Sequence, residues 1–328
     1  MFVAQDRRGH YISSLSEGPL PPDIYCPSCG VRLLIKSGCV MSRHFSHPSN
    51  SACPYHTKQE SDEHLSSKAY LFHWGSKHHA MTVEDAGLVT DQVADIALEE
   101  KVVLEIQCSP LSQTRLKDRT LAYESAGLPV LWLLGHKLWL KDRLTPLQRS
   151  FINFSQSCGF YLWELDVRRR CLRLRYLLHE DISGCIQGLV RIFPFDEGDL
   201  LEVLRYPYNP QYLRHKGHLE SDPISFIARR LYYRDRKWLR LQEACYLKGE
   251  NLLTKSPADF YPQLTPVRCA DWRQTPAILA YHEKFTNYYH TKQIDSLFVY
   301  PPSYYHLPSN HQKEYNRAIR QKGENDGR

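Results

Sequence analysis

VADIALEEKVVLEIQCS, residues 93–109, is the stretch of this sequence that decides the fold. It contains two runs rich in valine, isoleucine and leucine, Val93–Leu98 and Val102–Cys108. Glu99-Glu100-Lys101 joins them, and two such runs with a short polar connection predict a β-hairpin. The connection lacks the Asn-Gly or Asp-Gly pair of the commonest two-residue turns, so the prediction rests on the strands themselves.

This hairpin also predicts where its charged side chains lie. If Glu99–Lys101 is a three-residue turn, Asp95 lies directly opposite Glu105. Glu105 and Gln107 are separated by one residue, so their side chains point to the same face of the strand. Facing carboxylates repel each other unless a cation lies between them, and Mg²⁺ is an ion that such oxygen ligands hold. We therefore predict a Mg²⁺ or Mn²⁺ site at Asp95 and Glu105, the alternative being two solvated carboxylates at a sheet edge.

The segments on either side of the hairpin complete an α/β core. Upstream, the spacing of the apolar residues predicts a helix over about residues 58–77. Downstream, residues 112–126 predict a second helix that stops at Gly127, and Val130–Leu134 is an apolar strand of the kind that is buried on both faces. The order helix, strand, strand, helix, strand indicates an α/β fold.

The upstream helix carries a polar stripe on the side opposite its apolar residues. Glu60, His64 and Lys68 lie at i, i+4 and i+8, with Glu63 beside them. A helix with a Glu, a strand with an Asp and a strand with E-x-Q follow one another here in the order of the parts of PD-(D/E)xK nucleases. We therefore expect a restriction-endonuclease-like core of that type.

In those nucleases the lysine of the E-x-K motif helps to orient and activate the attacking water, while carboxylates hold the metal. Gln107 stands in the place of that lysine. A glutamine can hydrogen-bond a water but brings no positive charge, which Lys68 could supply from the helix. The predicted catalytic residues are Glu63, with Glu60 as the alternative, Asp95, Glu105, Gln107 and Lys68.

A cluster of cysteine and histidine residues precedes this core. Cys26 and Cys29 have C-x2-C spacing, and His44 and His47 follow. Four such ligands form the closed tetrahedral site of structural zinc, which would hold together a segment poor in apolar residues. The two histidines are closer together than in a C2H2 finger, and the alternative is free thiols with surface histidines. Possible substitute ligands are Cys39, Cys53 and, less readily, His56.

Two basic regions in the C-terminal half combine arginines with aromatic residues. Arg168-Arg169-Arg170 lies between two β-rich runs, Phe160–Asp166 and Cys171–Leu178, which predict a second hairpin. A basic helix is expected over Ser225–Tyr246, with Trp238 on its apolar side. Arginines bind phosphates and aromatic rings stack on unpaired bases, so we predict DNA contacts, the alternative being solvated faces. The predicted contacts here are Arg168, Arg169, Arg170, Arg229 and Arg230.

Composition describes an ordinary globular chain. The 328 residues are 42% hydrophobic and 24% charged, and 42 Lys+Arg against 36 Asp+Glu give a net charge of +6. This charge permits nucleic-acid binding without requiring it. The chain has no run of about 18 apolar residues, and its first residues carry charge where a signal peptide needs an apolar segment. We therefore expect no membrane span and a cytoplasmic protein.

Three parts are predicted from these patterns. Residues 1–58 are expected to form a zinc-ribbon-like module, and residues 59–140 the PD-(D/E)xK nuclease-like domain. Residues 141–328 are expected to form a mixed, mainly helical region with a β-hairpin and a basic surface.

The sequence resembles the competence protein CoiA family in several runs that occur in the order of that family. They are CPSC (26–29), HFSH (44–47), ESDEHLSSK (60–68), VADIAL (93–98), LEIQCS (104–109) and VLWLLG (130–135). Arg119 and Tyr123 match the family's Arg and Tyr on the following helix. The resemblance is specific over about residues 1–140, looser through 230–253, and absent from the final 50 residues.

The resemblance implies a cytosolic protein that helps incoming single-stranded DNA to recombine with the chromosome during natural transformation. The family's catalytic-type positions fall on Glu63 or Glu60 and on Asp95, Glu105 and Gln107, and its metal ligands on Cys26, Cys29, His44 and His47. Arg119 is placed to bind a phosphate, with a structural salt bridge as the alternative. Single-stranded or branched DNA and the RecA recombinase are the expected partners. The alternative function is a non-catalytic DNA-binding or recombinase-loading adaptor.

Overall fold

The computed structural model describes residues 1–38, 42–48, 53, 60–85, 92–290 and 297–325. The helices within these residues are α1 (Asp62–Gly75), α2 (Gln113–Ser125), α3 (Pro146–Phe151), α4 (Leu200–Arg205), α5 (Pro223–Tyr232), α6 (Arg236–Tyr246), α7 (Pro276–His290) and α8 (Ser309–Asn325). The strands are β1 (Val3–Gln5), β2 (Tyr11–Ser13), β3 (Leu34–Lys36), β4 (His44–Ser46), β5 (Met81–Asp85), β6 (Ala94–Leu98), β7 (Val102–Gln107), β8 (Val130–Leu134), β9 (Asn153–Ser155), β10 (Gly159–Asp166), β11 (Cys171–Asp181), β12 (Ile186–Pro194), β13 (His215–Lys216), β14 (Leu264–Pro266) and β15 (Phe298–Val299).

A mixed β-sheet forms the centre of the molecule. Its strands follow the order β12-β11-β10-β8-β7-β6-β5, with β9 beside β10 and β14 beside β11. The strands β7, β8 and β10 run parallel, whereas β5-β6-β7 and β10-β11-β12 are antiparallel. The carboxyl ends of β7, β8 and β10 therefore lie at one edge, here called the carboxyl edge, where β6 and β11 begin.

The predicted hairpin is confirmed, with the expected register. Leu98 pairs with Val102 across β6 and β7, and extending the pairing along the two strands places Asp95 opposite Glu105. The turn closes without glycine, because Glu99 and Glu100 both adopt left-handed backbone conformations with φ near 52° and 53°.

The helices α1 and α2 cover opposite faces of these strands. Leu71 and Trp74 of α1 belong to the same buried cluster as Leu104, whereas Tyr123 of α2 packs with Val103. Neighbouring residues of a strand point to opposite faces, so the sheet is enclosed from both sides at this point. Ser112 caps α2 by accepting from the Arg115 amide, which confirms the helix predicted over residues 112–126.

The helix predicted over Ser225–Tyr246 is wrong as a single element, because two helices occupy it. Between α5 and α6, Arg234 adopts a left-handed conformation with φ of 54°. The Asp235 side chain then caps α6 by accepting from the amides of Lys237 and Trp238. Trp238 is buried with Phe226, as expected for a core residue.

The central sheet continues past the domain boundary predicted at residue 140. Trp163 of β10 pairs in parallel with Leu133 of β8, and β11 and β12 extend the sheet further. Residues 141–328 thus contribute strands to the nuclease-like part as well as the helices α3 to α8. The overall fold is mixed α/β.

An N-terminal module contains two small antiparallel sheets, β1-β2 and β3-β4. Its Phe2 and Leu15 pack with Leu65 and Ala69 of α1 and with Val83 of β5. The module is therefore attached to the same helix that carries the polar stripe. Among the helices of the described residues, none is both long and apolar enough to cross a bilayer.

Candidate functional site

Three cysteines and one histidine of the N-terminal module lie together. Ligand atoms of Cys26, Cys29, His47 and Cys53 are all within 4.8 Å of one another. The Sγ atoms of Cys26 and Cys53 are 3.9 Å apart, and Cys29 Sγ lies 3.4 Å from His47 Nε2. A tetrahedral zinc ion separates two sulfurs by about 3.8 Å and a sulfur from a nitrogen by about 3.6 Å. These four side chains, here called the Cys/His cluster, therefore have the spacing of a zinc site.

His44, which was predicted as a zinc ligand, lies outside the Cys/His cluster. It is on β4, and its Nδ1 lies 3.0 Å from the carbonyl oxygen of Ser42. Residues three apart in extended chain point to opposite sides, which accounts for the presence of His47 and not His44 in the cluster. Cys53, weighed as a substitute, occupies the fourth position. The other substitutes, Cys39 and His56, lie outside the described residues.

Acidic residues and a histidine form a second group at the carboxyl edge. Oxygen or nitrogen atoms of Glu60, His64 and Asp95 lie within 4.8 Å of one another, and these three residues are here called the acidic cluster. The His64 ring bridges the two carboxylates, with Nδ1 3.0 Å from Glu60 and Nε2 3.1 Å from Asp95. The amide of Ile106 donates to Asp95 at 2.9 Å, which fixes the Asp95 carboxylate against the end of the β6-β7 ladder.

Lys68 lies beneath the acidic cluster with only 1% of its side chain exposed. Its Nζ is 2.5 Å from Glu60 Oε1, 2.6 Å from Glu84 Oε1 and 3.9 Å from Asp95 Oδ1. Glu84 Oε2 accepts in turn from the backbone amides of Phe2 and Val3, at 2.7 and 3.0 Å. Glu84 thus connects the N-terminal module to the lysine that supports the acidic cluster.

Glu105 lies behind the acidic cluster, among the side chains of α2. Its Oε1 accepts from Arg119 Nη2 and from the Tyr123 hydroxyl, each at 2.6 Å, and the residue is 1% exposed. Burial and the charge of Asp95 raise the pKa of Glu105 to about 8. Arg119 thus forms a salt bridge with Glu105, and its contact with a phosphate stays a prediction. The Gln107 side chain donates to the carbonyl of Ser109 at 2.5 Å.

Mutual contacts keep the acidic cluster charged although burial disfavours the charged forms. The charge and hydrogen bond of His64 hold the pKa of Asp95 below its usual range. Asp95 in turn raises the pKa of His64 to about 9, against the effect of burial. Burial lowers the pKa of Lys68 less than Glu84 and Glu60 raise it, so the ammonium form persists. At neutral pH an imidazolium and an ammonium ion thus lie among these carboxylates.

The Cys/His cluster and the acidic cluster open into one groove. Cys26 and His47 line it on the module side, and Glu60, Asp95 and Gln107 line it on the core side. One molecule bound in this groove would therefore be in reach of both clusters.

Two models of known protein families match segments on both sides of this groove. Residues 22–56 match the model of the competence protein CoiA, N-terminal domain, and residues 60–192 match that of the competence protein CoiA, nuclease-like domain. The chain belongs to the CoiA family. No curated protein and no solved structure matches it significantly. The nuclease-like match ends within β12, so it includes β10 and β11, which lie beyond the boundary predicted at residue 140.

Two glutamates near the start of α1, Glu60 and Glu63, are candidates for the site in this CoiA-family chain. Glu60 belongs to the acidic cluster and Glu63 does not. Glu63 Oε1 instead accepts from the backbone amide of His136 at 2.7 Å. A Cβ atom on Gly135 would lie 3.0 Å from that oxygen and 2.8 Å from Cys108 Sγ, so the glycine permits this close approach. Glu63 therefore links α1 by a hydrogen bond to the segment after β8.

The predicted DNA-contacting arginines lie in two separate places. Arg168, Arg169 and Arg170 are exposed in the turn after β10, at the carboxyl edge. Arg170 forms an ion pair with Asp196 at 3.1 Å. Arg229 and Arg230 are on α5, which packs beyond the other end of β11.

Glu84 and His64 are the site residues that sequence reasoning missed. His64 belongs to the predicted polar stripe, but its position between Glu60 and Asp95 depends on how α1 crosses the sheet. Glu84 is on β5, whose short sequence MTVED shows too little alternation to predict a strand.

Proposed function

We propose that this chain is a metal-dependent DNA-processing protein that acts on phosphodiester bonds and promotes recombination of incoming single-stranded DNA during natural transformation. The observation that carries the proposal is the acidic cluster at the carboxyl edge, with Gln107 beside it in the same groove. Membership of the CoiA family and its nuclease-like domain support it. The proposal includes a core of the PD-(D/E)xK type and a cytoplasmic location.

Mg²⁺ or Mn²⁺ fits the donors of the acidic cluster. Carboxylate oxygens of Glu60 and Asp95 are hard ligands of the kind these ions prefer, and His64 can bind once its ring is neutral. Glu105, opposite Asp95, is the further carboxylate proposed for the metal. A bound ion supplies positive charge to a phosphate and lowers the pKa of a water molecule.

The other residues have roles that follow from their contacts. Gln107 uses its amide nitrogen on Ser109, which leaves its oxygen as an acceptor for the attacking water. Lys68 is too buried to touch a substrate, so it acts by holding Glu60 and Asp95 in place. Arg168, Arg169 and Arg170 are proposed to bind the DNA backbone where it leaves the carboxyl edge.

Zn²⁺ is the proposed ion of the Cys/His cluster, in a structural role. Burial raises the pKa of the Cys26 thiol to about 11, so a cation beside it is needed to hold the thiolate. The surrounding core is small, with Ile24, Leu33 and Phe45 as its largest buried apolar residues, so the metal would supply much of the module's stability.

Cleavage assays with the matched variants Asp95→Asn and Asp118→Asn test the nuclease proposal. Asp118 lines the same groove but is outside the acidic cluster, so it controls for loss of one carboxylate. With single-stranded and branched DNA and Mg²⁺ or Mn²⁺, Asp95→Asn should cut at least about a hundredfold more slowly than wild type, because a metal ion contributes several kcal/mol to such a reaction. Equal rates for wild type and Asp95→Asn, or no cleavage by either, would overturn the nuclease proposal.

A non-catalytic DNA-binding or recombinase-loading adaptor is the second candidate. The observation that favours it is that Lys68 and His64 already offset the charges of Glu60, Glu84 and Asp95, so the cluster is stable without a metal. An adaptor would show no cleavage but would accelerate loading of RecA onto single-stranded DNA, and Asp95→Asn would leave that acceleration unchanged.

A further inference from the structure

Two tyrosines at the junction of α5 and α6 are the most exposed aromatic side chains in the described residues. Tyr232 and Tyr233 are 80% and 77% exposed. Their rings contact each other edge to face, with centroids 5.2 Å apart and an interplanar angle of 80°. Exposing two adjacent rings costs hydrophobic free energy, which indicates a binding role.

A rigid turn displays these rings. The amide of Arg234 donates to Leu231 and that of Asp235 to Arg230, at 3.0 and 2.9 Å. Phe226 and Trp238 pack beneath the turn, in a small core of their own. The backbone that carries the rings therefore need not be ordered on binding, which favours affinity.

Arginines precede and follow the two tyrosines in the chain, at positions 229, 234, 236 and 240. Arg229 precedes Tyr232 and Tyr233 by three and four residues and so shares their helix face. Within the described part of the chain, no carboxylate lies within 4.0 Å of a nitrogen of Arg234, Arg236 or Arg240. These guanidinium groups are available for an external anion.

The junction lies far from the acidic cluster. Lys237 of α6 contacts Glu180 at 3.9 Å and the Ile182 carbonyl at 3.5 Å, both at the end of β11 away from the carboxyl edge. The eleven residues of β11 span about 30 Å between these two ends. A ligand at the junction is therefore bound independently of metal chemistry at the cluster.

We propose that Tyr232 and Tyr233, with Arg229, Arg234, Arg236 and Arg240, form a second binding surface that stacks the unpaired bases of single-stranded nucleic acid. Stacking faces beside free guanidinium groups match a strand with exposed bases and a phosphate backbone. Duplex DNA hides its base faces, so the surface discriminates against it.

Fluorescence anisotropy with a labelled 30-nucleotide oligo(dT) tests this proposal, in buffer without divalent cations so that cleavage plays no part. Tyr232→Ala/Tyr233→Ala should raise the Kd at least about tenfold, whereas Tyr232→Phe/Tyr233→Phe, which retains the rings, should stay within about twofold. Tyr246→Ala removes another exposed tyrosine, 61% exposed at the far end of α6, and should bind as wild type. All of these side chains are at the surface, so unchanged circular dichroism is the check on folding.

The arginines should contribute to binding by contacting phosphates, and the salt dependence of the affinity detects such contacts. Replacing Arg234, Arg236 and Arg240 by Gln should reduce the slope of log affinity against log salt by about two, whereas the alanine variants of the rings should leave that slope unchanged. Wild-type affinity of Tyr232→Ala/Tyr233→Ala, an equal loss with Tyr246→Ala, or ring-dependent self-association of the protein with unchanged oligo(dT) affinity would each overturn the proposal. An inactive acidic cluster would leave it standing, because the assay requires no cleavage.

Discussion

At the scale of single residues, Lys68 is the side chain on which the acidic cluster depends. An ammonium ion with 1% exposure is destabilising unless carboxylates surround it, and Glu60 and Glu84 lie within 2.6 Å of its Nζ. The same contact stabilises the carboxylates, because Lys68 and His64 together offset their mutual repulsion. The contacts of Lys68 therefore both neutralise the charges of Glu60 and Glu84 and hold these two side chains in place.

Lys68→Met should lower the free energy of unfolding by about 3 kcal/mol or more, because it leaves buried carboxylates without their partner. Urea denaturation measures this loss. The control is Lys77→Met, whose half-exposed ion pair with Asp196 should contribute less than about 1 kcal/mol. Similar losses in the two variants would contradict this account of Lys68.

Zinc content should separate the two residues that compete for the fourth place in the Cys/His cluster. We expect Cys53→Ser to lose about one equivalent of zinc per chain, while His44→Ala retains it, since only the first removes a ligand atom of the cluster. Metal analysis of the purified folded variants decides the matter. Retention in Cys53→Ser together with loss in His44→Ala would reverse the assignment.

Residue-level prediction succeeds where the chain itself sets the geometry. The position of Asp95 opposite Glu105 follows from the length of one turn, and the register confirms it. The partners of these side chains depend on packing between distant segments. Lys68 meets Glu84 because β5 reaches the carboxyl edge, and Glu105 meets Arg119 because α2 reaches it as well. No local sequence pattern determines either contact.

At the scale of elements, local signals predict most of the core. The capped helix α2 and the apolar strand β8 have the expected bounds, whereas β5 and β12 were not anticipated. Most residues of β12 are half-buried or exposed, because it lies at the border of the sheet, and so its sequence lacks the alternation of a buried strand. The division between α5 and α6 depends on the cap at Asp235, a signal that the amphipathic pattern of the segment conceals.

His79 connects two elements and should make their association depend on pH. Its ring lies between Asp199, at the start of α4, and Glu99 in the β6-β7 turn, with contacts of 2.9 and 2.8 Å. The hydrogen bonds to Asp199 and then Glu99 raise the pKa of His79. The imidazolium therefore stabilises the fold fully below the unfolded pKa of about 6.5, and this contribution is lost as pH rises through the higher pKa of the folded state.

The variant His79→Gln should accordingly lower the Tm more at pH 5.5 than at pH 9. Thermal melts followed by circular dichroism at these pH values measure the difference. The neighbouring, exposed His78→Gln controls for loss of an imidazole from the same segment. A Tm difference that grows with pH would contradict the assigned contacts.

At the scale of the whole molecule, the sheet joins parts of the chain that sequence patterns separate. The sequence patterns predict separate parts on either side of residue 140, but β10 pairs with β8 across that point. Trp163 is completely buried in this continuation. Strand pairing over such a separation has no short-range signal, so no local pattern in the sequence indicates it.

A fragment of residues 1–140 should therefore fail to fold. Its strand β8 would become an exposed apolar edge, and Trp74 would lose the Gly198 carbonyl to which its indole nitrogen donates at 2.8 Å. Urea titration followed by tryptophan fluorescence should show a cooperative transition for the full chain and none for the fragment. A cooperative transition in the fragment would establish residues 59–140 as an independent domain.

The hydrogen bond between Trp74 and Gly198 also bears on how the protein is made. On the ribosome, Trp74 of α1 emerges more than a hundred residues before its packing partners Phe195 and Gly198. The apolar edge of β8 likewise stays uncovered until β10 has emerged, and nascent chains with uncovered apolar surface bind chaperones or aggregate. Translation speed over residues 140–200 should thus affect the yield of active protein more than speed elsewhere in the message.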